Sequence, residues 1–288
     1  MPNTISNNKA HKNNRVYELS EKLDLHTLIE FLQPESKMLA IRVSNYISQE
    51  LCDFFEQKLL ANKSVLFEKY SFAPNTDVTK IGKTFTEACI DSSTLDTYFE
   101  QASKTEAFLK DFFSPYLNPI DKLRLELDEM WLQGSIVPLM YGQKMMSGFI
   151  RKIGIDNEIP LHQDDLMQDC RQKPDFNLTT ELVSNVYLSI SPNNGCGELQ
   201  IYDYSPGYKN DLNKVYDSRR EGEANLLPSH LEKLSSKSSI TLKPKIGDLI
   251  LFKGNLVHQV HKVIDKERIT SCFHIGYTNN QEPLRCWI

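Results

Sequence analysis

Short β-like runs separated by turn residues fill the second half of this chain, and they limit the folds that it can adopt. The runs predicted as strands are 136–140, 147–153, 183–190, 198–204, 239–242, 248–252 and 269–277. Many short strands that follow a helical first half are typical of an α+β fold in which two sheets stack as a β-sandwich or jelly roll. The sequence therefore predicts a β-rich core with helices behind it.

The first half of the chain carries the helices that would buttress this core. Ser48 is a suitable N-cap, and Asn118 followed by Pro119 is a typical helix start. Apolar residues at helical spacing predict helices at 48–60, 94–102, 105–113 and from 118 onward.

Composition along the chain predicts a polar start followed by one domain. Residues 1–36 predict a polar tail and an arm, and residues 37–288 predict a single domain. Within that domain the charged segment 206–238 is long for a plain connection, so we predict that it is an insertion or a lid.

One short motif in the β-rich half suggests a metal site. His162 and Asp164 lie two residues apart, so in an extended segment their side chains leave the same face. An imidazole and a carboxylate on one face, completed by a second imidazole, form the facial set that binds Fe(II) and leaves positions open. Either His258 or His261 could complete it, but their odd separation means that only one of them faces the metal.

A possible anchor for a dicarboxylate follows these histidines. Arg268 and Thr270 lie two residues apart in an apolar run, so a guanidinium and a hydroxyl would share one strand face. A guanidinium can bind one carboxylate through two parallel hydrogen bonds. Together the residues predict iron, a 2-oxo acid bound to it, and an arginine that holds the far end of that acid.

These motifs resemble, in their order, the Fe(II)/2-oxoglutarate-dependent oxygenase superfamily and its prolyl-hydroxylase-like branch. A lone His-x-Asp is a weak signal, whereas several elements in the order of the family are a strong one. The resemblance covers residues 136–277 and depends on His162-x-Asp164, Val186-Tyr187-Leu188-Ser189, Gly195-x-Gly197-Glu198-Leu199, Gly247-Asp248-Leu249-x-x-Phe252, His258-x-Val260 and Arg268-x-Thr270.

The resemblance implies a double-stranded β-helix (jelly roll) core and an enzyme that uses Fe(II), 2-oxoglutarate and O2. It implies that His258 is the distal iron ligand, because the family places its arginine at the spacing that separates His258 from Arg268. The implied iron ligands are His162, Asp164 and His258, and the implied anchor of 2-oxoglutarate is Arg268 assisted by Thr270.

The chain departs from the family pattern at the residue that commonly contacts the co-substrate ahead of the first ligand. Members of the family often have a tyrosine there, whereas this chain has Arg151 and Lys152. We therefore expect a cation, Lys152, or else Tyr187 to make that contact.

The carboxylate ligand, Asp164, indicates which reaction the chain would catalyse. Related radical halogenases lack the carboxylate ligand and have Gly or Ala in its place, which lets chloride bind iron. Because Asp164 is present, the resemblance implies hydroxylation.

The substrate is predicted from the neighbours of the metal motif. The chain is similar around Asp164-Asp165 to the free-lysine halogenases and their hydroxylating relatives, in which an acidic residue after the motif meets the substrate amine. Asp165 would therefore bind an ammonium group, or alternatively it caps a turn. Arg151 would bind a substrate carboxylate or form a simple salt bridge. Trp287 would form an apolar wall of the pocket, or belong to a tail packed on the core.

The leading hypothesis is a hydroxylase of a small metabolite, namely a free cationic amino acid such as lysine. The alternatives are a hydroxylase of a protein side chain or of a carrier-bound residue, and a non-catalytic sensor on the same fold. A small-molecule partner is thus expected.

Charge and hydropathy exclude other classes of partner. A net charge of −5 argues against a nucleic-acid-binding surface, and no apolar run is long enough to span a membrane. The six cysteines form no CxxC pair, and the start of the chain lacks the apolar region of a secretory signal. Both observations predict a cytoplasmic protein with reduced thiols.

Overall fold

The computed structural model describes residues 15–62, 67–70, 77–90, 94–170, 173–206, 226 and 228–288. Its helices are α1 (Leu25–Leu32), α2 (Gln49–Ala61), α3 (Phe85–Ile90), α4 (Leu95–Phe113), α5 (Pro119–Met130), α6 (Leu166–Asp169) and α7 (Pro228–Leu234). Its strands up to the first ligand are β1 (Val16–Ser20), β2 (Ala40–Ser44), β3 (Glu68–Lys69), β4 (Val78–Ile81), β5 (Ser135–Ile136), β6 (Leu139–Met140), β7 (Gln143–Lys144), β8 (Phe149–Ile153) and β9 (Ile159–His162). The later strands are β10 (Thr180–Ser189), β11 (Leu199–Tyr202), β12 (Ser239–Leu242), β13 (Leu249–Lys253), β14 (His258–Val260), β15 (Arg268–Tyr277) and β16 (Leu284–Trp287).

The predicted helix starts are confirmed by their capping hydrogen bonds. Ser48 accepts a hydrogen bond from the backbone N–H of Leu51, and Asn118 accepts one from that of Asp121. The prediction of separate helices at 94–102 and 105–113 is wrong, because α4 runs through both segments. The intervening Ser103 and Lys104 do not stop a helix whose apolar face packs against the core.

Two sheets carry the strands of the second half. A ten-stranded sheet has the order β1-β2-β13-β10-β15-β8-β4-β3, with β16 beside β15, and a four-stranded sheet has the order β12-β11-β14-β9. Of the eight strands from β8 to β15, the large sheet contains β8, β10, β13 and β15, and the small sheet contains β9, β11, β12 and β14. The prediction of a mixed fold, with helices and a β-rich core, is confirmed.

The large sheet separates two parts of the core. Because side chains alternate along a strand, β10 directs Leu182 and Val186 into a cluster shared with the helices, and Val183 and Tyr187 into a cluster shared with the small sheet. The space between the two sheets is therefore lined by the inner faces of β8, β10 and β15.

The segment that was predicted to be an arm belongs to the body of the protein. Strand β1 pairs in parallel with β2 over its full length, and Leu28, Phe31 and Leu32 of α1 are fully buried. The apolar face of α1 packs in the core. Residues 16–32 are therefore part of the domain, and the prediction of an arm is wrong for them.

Part of the predicted insertion or lid can be located. Residues 207–225 and 227 lie outside the described residues. Leu226 and Leu234 of the described part pack against Val257, together with Leu161 and Tyr202 of the small sheet. None of the described helices has the length and apolar composition needed to cross a bilayer.

Candidate metal centre

Strand pairing in the small sheet brings two of the predicted ligands together. His162 ends β9, His258 begins β14, and the two residues are direct partners in the antiparallel ladder. Their ring centroids lie 4.1 Å apart. Phe252 packs edge-on against the His258 ring at a centroid distance of 4.8 Å, which limits the rotation of that ring.

Asp164 is positioned by a loop of the opposite sheet. Its backbone N–H donates to the carbonyl of Gly254, with 2.8 Å between N and O, just beyond β13. Its Oδ2 lies 3.5 Å from Nε2 of His258. One ligand atom from each of His162, Asp164 and His258 lies within 4.8 Å of the others. Two imidazoles and one carboxylate at this spacing fit a facial Fe(II) site.

Both imidazoles are oriented by backbone carbonyls. Nδ1 of His162 lies 2.8 Å from the carbonyl oxygen of Pro160, and Nδ1 of His258 lies 2.8 Å from that of Leu256. A carbonyl can only accept, so each Nδ1 carries the proton and each Nε2 keeps its lone pair for a metal.

The charge states of the triad also suit a metal. Burial, with the charge of His258, lowers the pKa of His162 to about 3, so its imidazole is neutral near pH 7. Burial alone would raise the pKa of Asp164, but the hydrogen bond with His258 and the charges of both histidines hold it below its ordinary value. Neutral imidazoles and an ionised carboxylate are the forms that bind metal ions.

His261 is the histidine that the structure leaves out of the triad. Its Nε2 lies 2.9 Å from Oε1 of Gln200 on β11. His261 lies an odd number of residues from His258, so in an extended segment the two rings leave opposite faces. The structure thus groups His258, and not His261, with His162 and Asp164.

We expect the Gly254→Ala variant to bind Fe(II) about tenfold more weakly, at the lower end of the cost of disturbing a ligand's support. A Cβ at Gly254 would lie 3.1 Å from the carbonyl oxygen and 3.4 Å from the Cβ of Asp164, and 3.2 Å from a methyl group of Val183. Displacement of Asp164 follows, since both neighbours are tightly packed. Fe(II) titration against the wild type measures the loss, with Tm as the control for folding. Unchanged Fe(II) affinity would show that Gly254 does not position Asp164.

A buried arginine lies at the start of β15. Arg268 has no exposed surface, and its Nη2 donates to the hydroxyl of Tyr187 over 3.0 Å. Its Nε and Nη1 have no hydrogen-bond partner among the described residues. A buried cation with unused donors requires an anion, and a carboxylate matches this fork. Gly197 leaves space beside it, because a Cβ there would lie 3.1 Å from Cδ of Arg268.

Thr270 and Tyr187 share the inner face with Arg268. Thr270 lies two residues beyond Arg268 on β15 and is the direct cross-strand partner of both Tyr187 and Arg151. The structure therefore brings Arg268, Thr270 and Tyr187 to one wall. The observed donors fit the distal carboxylate of 2-oxoglutarate.

The structure does not bring Lys152 to this wall. Its ammonium forms an ion pair with Glu267 at 3.0 Å and lies over the ring of Phe67. Neighbouring residues on a strand face opposite sides, so the inward position of Arg151 requires Lys152 to point away. Arg151 donates from Nη2 to the amide oxygen of Asn185 over 3.3 Å, while its buried Nε has no partner among the described residues.

Asp165 caps a turn, which is the alternative role that the sequence offers for it. It is the N-cap of α6, where its Oδ1 accepts the backbone N–H of Gln168 and its Oδ2 accepts Nε2–H of the same residue. Burial and the charge of Glu181 raise the pKa of Asp165 to about 6. The structure thus places Asp165 in a cap, with both oxygens engaged.

The cap predicts a contrast between two substitutions. Asp165→Ala should lose about 1 kcal/mol of stability, whereas Asp165→Asn should keep the cap, since Asn and Asp cap equally well. The pKa of Asp165 is higher in the folded protein than in the unfolded chain, so ionisation of Asp165 destabilises the fold. This destabilisation is absent below pH 3.8 and fully present above about pH 6. Asn should therefore equal or exceed Asp in Tm at pH 8. A fall in Tm for Asp165→Asn as large as that for Asp165→Ala would contradict the assignment.

Trp287 and one further histidine lie on the same inner wall. Trp287, on β16, is 2 % exposed and stacks on the ring of His274 with centroids 5.7 Å apart. Sequence reasoning gave His274 no role. Its even spacing from Arg268 and Thr270 on one strand was the signal that could have placed it on their face.

Comparisons with known proteins extend this description. The model of the family described as "Carrier-protein-independent halogenase WelO5" matches residues 24–288. No curated protein matches the chain. A solved N-substituted L-amino acid dioxygenase from Burkholderia ambifaria AMMD is 16% identical over 88% of this chain and 87% of that chain, with a TM-score of 0.57. Its complex with 2-oxoglutarate is 15% identical over the same shares, with a TM-score of 0.54. At these identities the likeness concerns the fold.

Proposed function

This chain belongs to the carrier-protein-independent halogenase WelO5 family, within the Fe(II)/2-oxoglutarate-dependent oxygenase superfamily. Within that family we propose that it hydroxylates a small amino-acid metabolite. It is an enzyme that uses Fe(II) and 2-oxoglutarate, with O2 as the usual co-substrate. The observation that carries hydroxylation is the carboxylate of Asp164 beside His162 and His258.

The core is a double-stranded β-helix in this proposal. Its large sheet is formed by β8, β15, β10 and β13, and its small sheet by β9, β14, β11 and β12. The chain passes between these sheets in the order large, small, large, small, small, large, small, large. Such double-sheet crossing is typical of a jelly roll.

His162, Asp164 and His258 hold Fe(II) on the inner side of the small sheet. Arg268 binds the distal carboxylate of 2-oxoglutarate, with Tyr187 and Thr270 beside it. Bound Fe(II) and 2-oxoglutarate supply the activation of O2 and the removal of a substrate hydrogen. The protein fixes the ligands and the co-substrate, and the packed apolar residues between the sheets exclude water from the site.

Hydroxylation is proposed although the family is described as a halogenase. A halide on iron needs a ligand position that the protein leaves open, and the halogenases have Gly or Ala where this chain has Asp164. The carboxylate of Asp164 faces His258 at 3.5 Å and would fill that position on a bound iron.

A small amino acid is proposed as the substrate for two reasons. The solved N-substituted L-amino acid dioxygenase has a similar fold over most of this chain. An inward arginine, Arg151, has a buried Nε without a hydrogen-bond partner among the described residues and would suit a substrate carboxylate. A preference for a cationic side chain such as that of lysine rested on Asp165, whose oxygens are both engaged by Gln168. We propose the amino acid without that preference.

An amino-acid panel tests the proposal. Free and N-substituted L-amino acids are incubated with the Fe(II)-loaded enzyme, 2-oxoglutarate, O2 and chloride, and succinate release and product mass are measured. We expect at least one compound to stimulate succinate release and to gain one oxygen atom. Replacement of hydrogen by chlorine would contradict hydroxylation. A response confined to protein or carrier-bound substrates would contradict the small-metabolite proposal.

A further inference from the structure

His274 and Glu181 form a buried pair on the wall beside the triad. Nδ1 of His274 lies 2.6 Å from Oε1 of Glu181, and the two side chains are 14% and 6% exposed. Oε2 of Glu181 accepts the backbone N–H of Leu166 over 2.8 Å. Each carboxylate oxygen of Glu181 therefore accepts a hydrogen bond from within the protein. This makes Glu181 a poor candidate for binding a substrate ammonium group.

The pair is tied to the metal motif through the backbone. The carbonyl of Glu181 accepts the N–H of Gly254 over 2.9 Å, and the carbonyl of Gly254 accepts the N–H of Asp164 over 2.8 Å. His274 is the direct cross-strand partner of Val183, whose methyl group borders Gly254. His274 thus lies at the level of Asp164, whereas Arg268 lies at the far end of the same strand face.

Among the described residues, the His274 ring is held at one edge and on one face. Trp287 stacks on one face of the ring, and Glu181 holds Nδ1. The hydrogen bond found for this ring among the described residues is the one between Nδ1 and Glu181. Burial lowers the pKa of His274, but the hydrogen bond and charge of Glu181, with the charge of Asp164, outweigh burial and raise it. With Nδ1 held against the carboxylate of Glu181 at 2.6 Å, the imidazolium form of the ring would offer Nε2–H as a second donor on the inner wall.

The remaining charge on this wall is positive. Arg151 acts electrostatically on His274, and its buried Nε has no hydrogen-bond partner among the described residues. Bound Fe(II) would neutralise Asp164, and Glu181 is paired with His274 itself. A buried cation without an anion is costly, so a ligand that brings a carboxylate would compensate for it.

We propose that the imidazole of His274, held by Glu181 and flanked by Arg151, binds a carboxylate group of the substrate through Nε2–H. This inference rests on the proposed function, because it names the substrate class of the same site. His274 is a substrate-binding residue in this account, and Glu181 is a positioning residue that acts through it. Trp287 stacks on the His274 ring and limits its rotation, so the fluorescence of Trp287 should respond when a ligand binds to His274.

Propionate and its neutral amide, propionamide, are the probes. The chain has two tryptophans, so in the Trp131→Phe background only Trp287 emits. The protein is saturated anaerobically with Fe(II) and 2-oxoglutarate, which keeps propionate away from Arg268. Trp287 emission and the iron-to-2-oxoglutarate charge-transfer band are then followed as each probe is added.

Propionate should cause a saturable change in both signals, and propionamide should not. His274→Gln should raise the half-saturating propionate concentration at least about tenfold, as expected for loss of one charge-assisted hydrogen bond. Glu181→Gln should give an intermediate value, because Gln keeps an acceptor without the charge. His261→Gln is the matched control and should leave the value unchanged.

Equal responses to propionate and propionamide, no saturable response to propionate, or an unchanged value in His274→Gln would overturn the inference. The charge-transfer band separates this failure from that of the proposed function. If the band forms and propionate has no effect, only the carboxylate inference fails. If the band does not form in the wild type, both fail.

Discussion

The His258→Ala variant is expected to lose turnover to the background level. The loss should exceed about 100-fold, the upper end of the effect of removing a residue that merely supports a metal ligand. The reason is geometric, because His258 provides one of three ligand atoms that lie within 4.8 Å of one another. Succinate release with a responding amino acid measures turnover, and anaerobic Fe(II) titration measures metal binding.

His261→Ala is the matched control for this prediction. His261 lies three residues further along the chain, and its Nε2 contacts Gln200 outside the triad. The His261→Ala variant should retain Fe(II) binding and turnover close to the wild type. If His261→Ala were inactive and His258→Ala active, the ligand assignment would be reversed. Tm values of both variants show whether a loss arises from unfolding, since His258 is 3% exposed and packs against Phe252.

The Arg268→Gln variant is expected to raise the KM for 2-oxoglutarate by about 100-fold. Two charge-assisted hydrogen bonds contribute roughly 1.5 kcal/mol each at the low end of their range, and about 3 kcal/mol corresponds to that factor. The two donors, Nε and Nη1 of Arg268, are buried and have no other described partner. At saturating 2-oxoglutarate, kcat should fall much less, because Arg268 does not contact the triad.

Lys152→Gln is the matched control for the loss of one cation. Lys152 lies on the same sheet but faces away, paired with Glu267. Its replacement should leave the KM for 2-oxoglutarate unchanged within about twofold, since its ammonium is held by Glu267 away from the wall that carries Arg268. An effect of Lys152→Gln equal to that of Arg268→Gln would mean that the co-substrate binds on the other face. An unchanged KM in Arg268→Gln would remove Arg268 from the proposed binding site.

The spacing of residues in the sequence was enough to predict the centre of the site. His162-x-Asp164 has the separation that puts two side chains on one face of an extended segment, and Arg268-x-Thr270 has it again. The choice between His258 and His261 was left open by periodicity and came from the resemblance. In the structure, direct pairing of His162 with His258 brings that histidine to the triad.

The phase of one strand could not be predicted. In β8, Phe149, Ile150 and Ile153 are all buried, so apolar residues point to both faces of the strand. Such a pattern does not tell which of Arg151 and Lys152 faces inward. Tertiary pairing of β8 with β15 determines it, and that contact joins residues far apart in the chain.

Two other differences arise from contacts that no local pattern reveals. Asp165 is a cap because the chain turns into α6 immediately after the metal motif, a short helix of four residues without periodicity. His274 lies in an apolar strand whose partners Glu181 and Trp287 come from two other strands. Sequence reasoning could predict the strand but not the partners that meet there.

Anaerobic titration of Fe(II) into the protein with saturating 2-oxoglutarate tests the central claim most directly. The account predicts a metal-to-ligand charge-transfer band that saturates at about one Fe(II) per chain, since His162, Asp164 and His258 form one site. It also predicts that His258→Ala abolishes the band and that His261→Ala preserves it. Absence of the band in the wild-type protein, or a band that persists in His258→Ala, would contradict the account.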